Sequence, residues 1–527
     1  MKTIYKYITV AALMLPAAIT ISSCSDFLDE DPRNALTEDK IFSDPEYAET
    51  NLQSCYDNWR GTFRGQNLTD LLKSSDEIQA GALKALKEDG GLRGCFDRCD
   101  NRITADLEDI KNQWEPRWTV IGDAAKLIKA LKPLKETNAT AKKTYAEASF
   151  IRGGVNMELA MIFGRIPILD LERITELTYA RQPLKDVWQF IIDDLKEAEK
   201  YLPEQNIPGR ATTYAASMLL GYAYMAAPEE TGLRDFKLAK EALDKVLAGP
   251  FELVDYYDLF DYSTPNTRES IFEWQCSNIW PGPNCVQFMV GSRAVQVMGG
   301  DACFMSGYDH VVPSAWAYSN IEDGGIWEDG DIRKDESIRY DFEYYGRRPT
   351  LEPLSWEGLG EDHDELLPHI KKYEDFRTDI HSGMGFNNMY NSGKNIPWLR
   401  LANAMLLHAE CLNELGETGL AIEEVNKVRN RAWEWSLPGE KAWKGMSKDE
   451  FREALMTERV RELFGERWRR FDIRRTGKFI EYMKARNKWC NRAPGTIAPH
   501  HIYWPIPQTE IDRNDDISAE DQNEGYK

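Results

Sequence analysis

LRLANAMLLHAECLNELGETGLAIEEVNKVRNRA, residues 399–432, is the stretch whose reading decides the fold. An apolar helical run over 399–415 is broken by Gly416-Glu417-Thr418-Gly419, and a second helical run follows over 420–432. Helix, short turn and helix within about 34 residues match the tetratricopeptide period, in which each pair buries its apolar face by stacking on the next. An earlier pair, 211–227 and 233–247, is joined by the breaker Pro228-Glu229-Glu230-Thr231-Gly232. Its first helix carries Ala211, Ala215, Ala216, Ser217, Gly221, Ala223 and Ala226 on more than one face, and small side chains let neighbouring helices approach closely. Upstream, Leu184, Val187, Trp188, Ile191, Leu195, Ala198 and Leu202 fall mostly three or four apart between Pro183 and Pro203, the stripe of an amphipathic helix. Residues 145–163 form another, closed by Gly164 and followed by extended Ile166-Pro167-Ile168-Leu169. The expectation is a mainly α fold of about four tetratricopeptide-like helix pairs, not contiguous in sequence.

Between Pro250 and Pro397 this periodicity fails. Trp280-Pro281-Gly282-Pro283, Gly299-Gly300 and Gly324-Gly325-Ile326-Trp327 punctuate the segment, and Ser270-Ile271-Phe272-Glu273-Trp274-Gln275 alternates like a short strand. Long loops on a rigid scaffold are where binding residues collect. Near the end, Trp504-Pro505-Ile506-Pro507 cannot be helical, because successive prolines fix an extended φ and remove donors; it is expected to plug a helix groove. Residues 41–527 are therefore read as a single domain. A helical scaffold occupies 41–250 and 396–480, a loop-rich ligand region with a few short strands 251–395, and an extended segment 481–527.

The 527 residues carry 65 Lys and Arg against 87 Asp and Glu, a formal charge of -22. That balance disfavours general nucleic-acid binding and anchoring by a polybasic patch. Lys2 and Lys6 precede a mostly apolar run over 8–21, whose ~21 Å helical length falls short of the ~30 Å bilayer core; it reads as a cleaved signal peptide, residues 1–23. Ile21-Ser22-Ser23-Cys24 resembles a bacterial lipobox, which makes Cys24 the acylated first residue of the mature chain, followed by an acidic tether over 24–40. Eight cysteines remain, an even count that permits disulfides in an exported protein without fixing their connectivity.

Chemistry-bearing clusters are few. Cys95 and Cys99 lack histidine or a second cysteine pair at zinc spacing, Glu361-Asp362-His363-Asp364-Glu365 reads as a solvated loop, and Gly383-Met384-Gly385 lacks the lysine of a phosphate loop. His500-His501 has no companion ligand. No catalytic residue, metal ligand or cofactor site is assigned, and the chain reads as a binding protein rather than an enzyme. Glu458, Arg459, Arg461, Glu462, Glu466, Arg467, Arg469, Arg470 and Arg474 alternate in sign at helix-neighbour spacings, which predicts an ion-pair network rather than a catalytic site, while Leu463, Phe464, Trp468 and Phe471 pack inward.

The order of several segments carries a family resemblance. They are the lipobox; Phe163-Gly164-Arg165-Ile166-Pro167; Ile396-Pro397-Trp398 leading into the 399–432 pair; Glu458-Arg459-Val460-Arg461-Glu462-Leu463-Phe464-Gly465-Glu466-Arg467-Trp468; and Tyr503-Trp504-Pro505-Ile506-Pro507 with Gln522-Asn523-Glu524-Gly525-Tyr526. Together they resemble the SusD/RagB family of outer-membrane nutrient-binding lipoproteins. The resemblance implies a lipid-anchored protein facing the cell exterior, and Asp26, Asp29, Glu30 and Asp31 resemble the surface-export signal of Bacteroidetes lipoproteins. It implies capture of a nutrient, an oligosaccharide or a polysaccharide, for a SusC-like TonB-dependent transporter; a peptide ligand, or a lid role with little ligand affinity, are the alternatives. It also places ligand contacts in the middle region and in the loop over 76–102. Pyranose C–H faces stack on Trp or Tyr while amides, acids and Arg satisfy hydroxyls. The candidate contacts are Trp280, Trp327, Tyr308 and Asn284 in the middle region, and Phe96, Asn101 and Arg102 in the early loop, which has no Trp.

Overall fold

The computed structural model describes residues 42, 44–81, 94–277, 282–291, 308–340, 368–375, 392–492 and 496–527. Cys24, Cys303 and Trp280 lie outside them. Helix α1, Pro45–Gly61, starts where Asp44 accepts the Glu46 N–H with Pro45 at the first position. Next come α2, Glu108–Leu131, and α3, Ala139–Phe163, whose cap Asn138 accepts the Ala141 N–H at 2.9 Å. After these, α4, Leu184–Tyr201, leads to α5, Thr213–Ala226, and α6, Phe236–Leu247. The final set is α7, Leu401–Glu414; α8, Thr418–Ala432; α9, Lys448–Leu463, opened by a Ser447/Glu450 capping box; and α10, Arg469–Arg475.

From α2 to α8 each helix packs on the next, and α7 packs also on α9. Helix α6 packs directly on α7, so the array is interrupted in sequence by residues 251–395 but continuous in space. The small residues of α5 act as read: a Cβ at Gly221 would lie 2.9 Å from Leu243 Cγ on α6. Leu399 and Arg400 belong instead to a strand, Ile396–Arg400, which pairs antiparallel with Ser270–Trp274, so α7 begins only at Leu401. That strand pair inserts Phe272, Trp274 and Trp398 into an aromatic core with Trp59 and Phe63, the Trp274 and Trp398 rings lying 5.5 Å apart. Two further two-stranded pairs complete the β content of the described residues.

The segment over 481–527 differs from the extended reading. Short helical pieces, Phe479–Arg486, Lys488–Arg492, Pro499–Ile502, Gln508–Arg513 and Ala519–Asp521, interrupt it, and the two-proline stretch lies between the third and fourth of them. There Trp504 is buried between the Phe96 ring and the Arg470 guanidinium, and its N–H donates to Ile162 O at 2.8 Å, so the stretch does fill a groove beside α3. Cys55, Cys95, Cys99, Cys276, Cys285, Cys411 and Cys490 are all free thiols, so no disulfide joins the described residues. Among those residues no helix is long and apolar enough to cross a membrane.

Candidate ligand-binding surface

Where the Ser270–Trp274 and Ile396–Arg400 strands end, their flanking chains are laced together by amides. Cys276 N–H donates to Asn395 Oδ1 at 2.8 Å, Asn395 Nδ2 to Gln275 Oε1 at 3.0 Å, and Gln275 Nε2 to Asn266 Oδ1 at 2.8 Å. Against this lace lies the one-turn helix Tyr256–Leu259 and the loop that follows it. Two clefts of about 230 and 290 Å³ open there and share Asp261, Tyr262 and Lys394. Tyr257 and Tyr262 stand 57% and 50% exposed on their walls, far from the burial expected of rings of that size.

The neighbouring residue, Tyr256, points the other way: its Oη donates to Glu462 O at 2.9 Å, and the Lys372 and Arg431 cations sit over its ring at 5.2 and 4.9 Å. Tyr257 shares a hydrogen bond with the Asp261 carboxylate, which raises the phenol above its usual pKa. Against the burial that would raise it, Asp261 is held below the usual carboxylate range by Ser263, whose N–H and hydroxyl donate at 2.7 and 2.6 Å, and by Tyr257. Lys372 lines the larger cleft; burial pulls it down to about 8 against the attraction of Glu466, to which its ammonium donates at 2.6 Å. The Arg339 guanidinium donates to Glu374 on the wall of that same cleft.

A third ring adjoins. Trp435 is 45% exposed, and its Nε1 donates to Asp255 Oδ1 at 2.6 Å, placing the indole beside the turn that carries Tyr257. Glu434 and Trp435 have φ of 47° and 63°, a left-handed pair that costs bulky residues energy and is retained where surroundings fix it. The face thus offers flat apolar surfaces rimmed by amides, acids and cations, the composition that sugar stacking requires. Glu273 lines the smaller cleft and burial raises its pKa, but both its oxygens accept the Asn266 N–H and its loop is fixed by that bond. Among the described residues no three His, Cys, Asp or Glu side chains gather as metal ligands.

The sequence-predicted residues scatter. Trp327 is wholly buried with Nε1 donating to Ala317 O at 2.8 Å, so it is core and presents no face to a ligand; the Gly324-Gly325 turn folds it back under Ser319. Phe96 is likewise buried, packed 4.5 Å from the Trp504 ring and under the Lys73 ammonium, and is no platform. Asn284 is buried: its Nδ2 donates to Lys394 O at 2.5 Å, so it positions the floor of the smaller cleft rather than meeting a ligand. Tyr308 is half-buried between Phe288 and His310, whose ring lies 3.8 Å from Asp70 of the Asp70–Lys73 pair, and it lines neither of the Tyr262 clefts. Asn101 and Arg102 are exposed, with Arg102 held by Asp100. Trp280 lies outside the described residues. Sequence reading missed Tyr257, Tyr262 and Trp435; the signals available were the Asp-Tyr run Asp255-Tyr256-Tyr257-Asp258 and Trp433-Glu434-Trp435 just before the helix stop Leu437-Pro438-Gly439.

Residues 305–526 match the SusD family, and residues 26–225 match a family described as starch-binding associating with outer membrane. SusD-like protein P2 of Formosa agariphila is 26% identical over 96% of this chain and 98% of its own. Starch-binding protein SusD of Bacteroides thetaiotaomicron is 25% identical over 74% of each chain. Among solved structures, a laminarin-binding SusD-like protein superposes with a TM-score of 0.73 at 23% identity, covering 91% of this chain and 99% of the other, a likeness of fold.

Proposed function

Since the chain belongs to the SusD/RagB family, we propose that it is a surface lipoprotein, acylated at Cys24 and held on the exterior of the outer membrane, that binds an oligosaccharide and passes it to a SusC-like TonB-dependent transporter. The observation that carries the binding reading is the face on which Tyr257 and Tyr262 stand half exposed on clefts rimmed by Asp261, Asn266, Gln275 and Asn395, with half-exposed Trp435 tied to Asp255 beside the Tyr257 turn. The names of two relatives, one starch-binding and one laminarin-binding, favour a glucan as the first ligand to try. Trp280 stays a proposed platform from its Pro281-Gly282-Pro283 loop, and Asn101 and Arg102 are proposed contacts of a second, separate patch. The proposed role is capture without turnover, since the four cleft carboxyl groups are each committed: Asp261 to Ser263 and Tyr257, Glu273 to the Asn266 N–H, Glu336 to Lys371 and Glu374 to Arg339.

The test is calorimetric titration of malto- and laminari-oligosaccharides into wild type, Tyr262→Ala and Trp435→Ala. A stacking ring that is a binding hot spot is worth about 2 kcal/mol or more, so each variant should bind at least ~25-fold more weakly. Full affinity in both variants, or shortened products after incubation with wild type, rejects the reading. Anchoring is tested apart from binding: Cys24→Ala should lose incorporation of a palmitate analogue.

A further inference from the structure

On α10, Arg470 and Arg474 lie one turn apart and are buried, 1% and 8% exposed. Among the described residues none of the three guanidinium nitrogens of Arg470 has a hydrogen-bond partner, and Nε of Arg474 has none. The remaining bonds of Arg474 go to neutral oxygens: Nη1 donates to Arg470 O at 3.2 Å and Nη2 to Ser74 Oγ at 3.1 Å. This is unlike the rest of the interior, where Arg333, Arg400, Arg429, Arg431 and Arg469 each meet at least one carboxylate. Arginine does not shed its proton in a protein, and a buried cation without a counter-charge is costly. The Trp504 ring under Arg470 at 4.0 Å and the Phe479 ring under Arg474 at 4.5 Å offset part of that cost, but rings supply no acceptor for the in-plane N–H groups. The nearby Cys99 thiol supplies no charge, because burial pushes its pKa well up, and the Asp97 carboxylate, which acts on Arg470 from a distance, gives its oxygens to Ser74 N–H, Ala80 N–H and Asn487 Nδ2 rather than to the guanidinium.

Two further observations point to a ligand. Tyr526 Oη, which feels both arginines, is buried and also lacks a partner among the described residues. Arg474, the member of the group that reaches open space, lines a cavity of about 370 Å³ together with Met161, Trp188, Arg475 and Tyr503, while Arg470 and Tyr526 lie behind it. Two carboxylates share that wall: Glu229, which is paired with Arg234 at 2.9 Å, and Glu230, whose charge disfavours a polyanion over a small ion. We infer that Arg470, Arg474 and Tyr526 form a site for one small oxyanion of the sulfate or phosphate type, whether free or as the charged group of a larger ligand. Guanidinium forks match such oxygens in geometry as well as charge.

The experiment titrates sodium sulfate, then phosphate, into the protein by calorimetry, with ionic strength held constant by sodium chloride, and repeats the series for Arg474→Gln, Arg470→Gln and Tyr526→Phe. One saturable site per chain is expected in wild type, weakened about tenfold or more by either arginine substitution and by a smaller factor in Tyr526→Phe. Tyr526→Phe keeps the ring and its packing, so the comparison survives if an arginine variant does not fold. Melting curves accompany the titrations: sulfate stabilises folded chains generally, so the saturable part of the shift is the signal, and the variants should keep only the linear part. Competition with galactose 6-sulfate separates the sources. Displacement of bound sulfate assigns the site to sulfated sugars, and sulfate binding that the sugar does not displace assigns it to the free ion. Absence of saturable binding in wild type up to about 10 mM, or wild-type affinity in Tyr526→Phe and Arg474→Gln, overturns the inference.

Discussion

Glu462 is the carboxylate on which the interior network turns, and Glu462→Gln tests the physical account of that network. Its oxygens meet Arg333 at 3.1 Å, Arg400 at 2.5 Å and Arg431 at 2.5 Å, all four side chains fully buried. Burial would raise its pKa, but Arg431, Arg400 and Arg333 pull it far below the usual carboxylate range. The substitution keeps the shape and removes the charge, leaving three guanidinium groups short of one partner; breaking a buried pair this way costs about 3 to 5 kcal/mol. Glu269, Glu466, Glu458 and Asp331 still serve those arginines, which favours the lower end. At about 2.1 cal/mol/K per residue, a chain of about 500 residues unfolds with roughly 1 kcal/mol/K, so about 3 kcal/mol lowers Tm by about 3 °C. A depressed carboxylate contributes stability that is present above its unfolded pKa, about 4.3, and lost as pH falls toward the folded value, at about 1.4 kcal/mol per pH unit. The gap between wild type and Glu462→Gln should therefore be full at pH 7 and narrow below about pH 4. Melting curves from pH 7 to pH 3 decide it. A variant that melts with wild type at pH 7, or a gap that stays constant to pH 3, would refute the charge-pairing account.

Three other outcomes follow from single positions. Trp327→Ala should lose about 3 to 5 kcal/mol of stability as a buried ring, whereas Trp435→Ala should melt close to wild type; thermal melts that rank them the other way round contradict the burial seen for each. Gly154 sits where a Cβ would come within 2.5 Å of Trp59 Cη2, so Gly154→Ala should cost about 1 to 3 kcal/mol by overpacking, read by denaturant unfolding; a neutral result means that the Trp59 ring can move. Glu77 is raised by burial to about 8, so the stability tied to its neutral form is present below about pH 4.3 and lost as pH rises through about 8; Glu77→Gln should gain on wild type across that window, and a pH-independent difference would exclude it.

What the sequence made legible was regular burial. The stripe of α4 and the paired runs of α5–α6 and α7–α8 were readable because each buries one face at helical period. Helices α1 and α2 were not, and α2 shows why: its buried face includes Asp109, Gln113 and Arg117, and Pro116 lies inside it, so a pattern sought in apolar residues misses it. The charge alternation of α9 was visible as a network, but not its depth, because Arg333 and Arg400 reach Glu462 from 129 and 62 residues away in sequence. At the candidate site the count of aromatic rings misled. Trp327 and Trp435 are the same residue in similarly irregular company, and only tertiary packing makes one core and the other surface.

The network and the exposed face are one construction. Lys372 donates to Glu462 O at 3.2 Å and to Glu466 at 2.6 Å while lining the larger cleft, and Tyr256 hangs from that same carbonyl with Tyr257 next to it in the chain. Arg431, over the Tyr256 ring, binds Glu269 and Glu462, and Glu269 in turn binds Arg400 on the strand that Lys394 and Asn395, which wall the smaller cleft, lead into. Buried ion pairs of this kind add little stability over well-packed apolar residues, because desolvation cancels most of their attraction. What they do fix is geometry, since each guanidinium fork donates to its carboxylates in few orientations. A loop-built surface lacks the period that holds a helix in place, so half-exposed rings would lose affinity to their own motion unless held from beneath. Tying the Tyr256 turn, Lys372 and the Ile396–Arg400 strand to one set of buried charges gives the loops a rigid floor, and that is the structural use to which the charged residues of α9 are put.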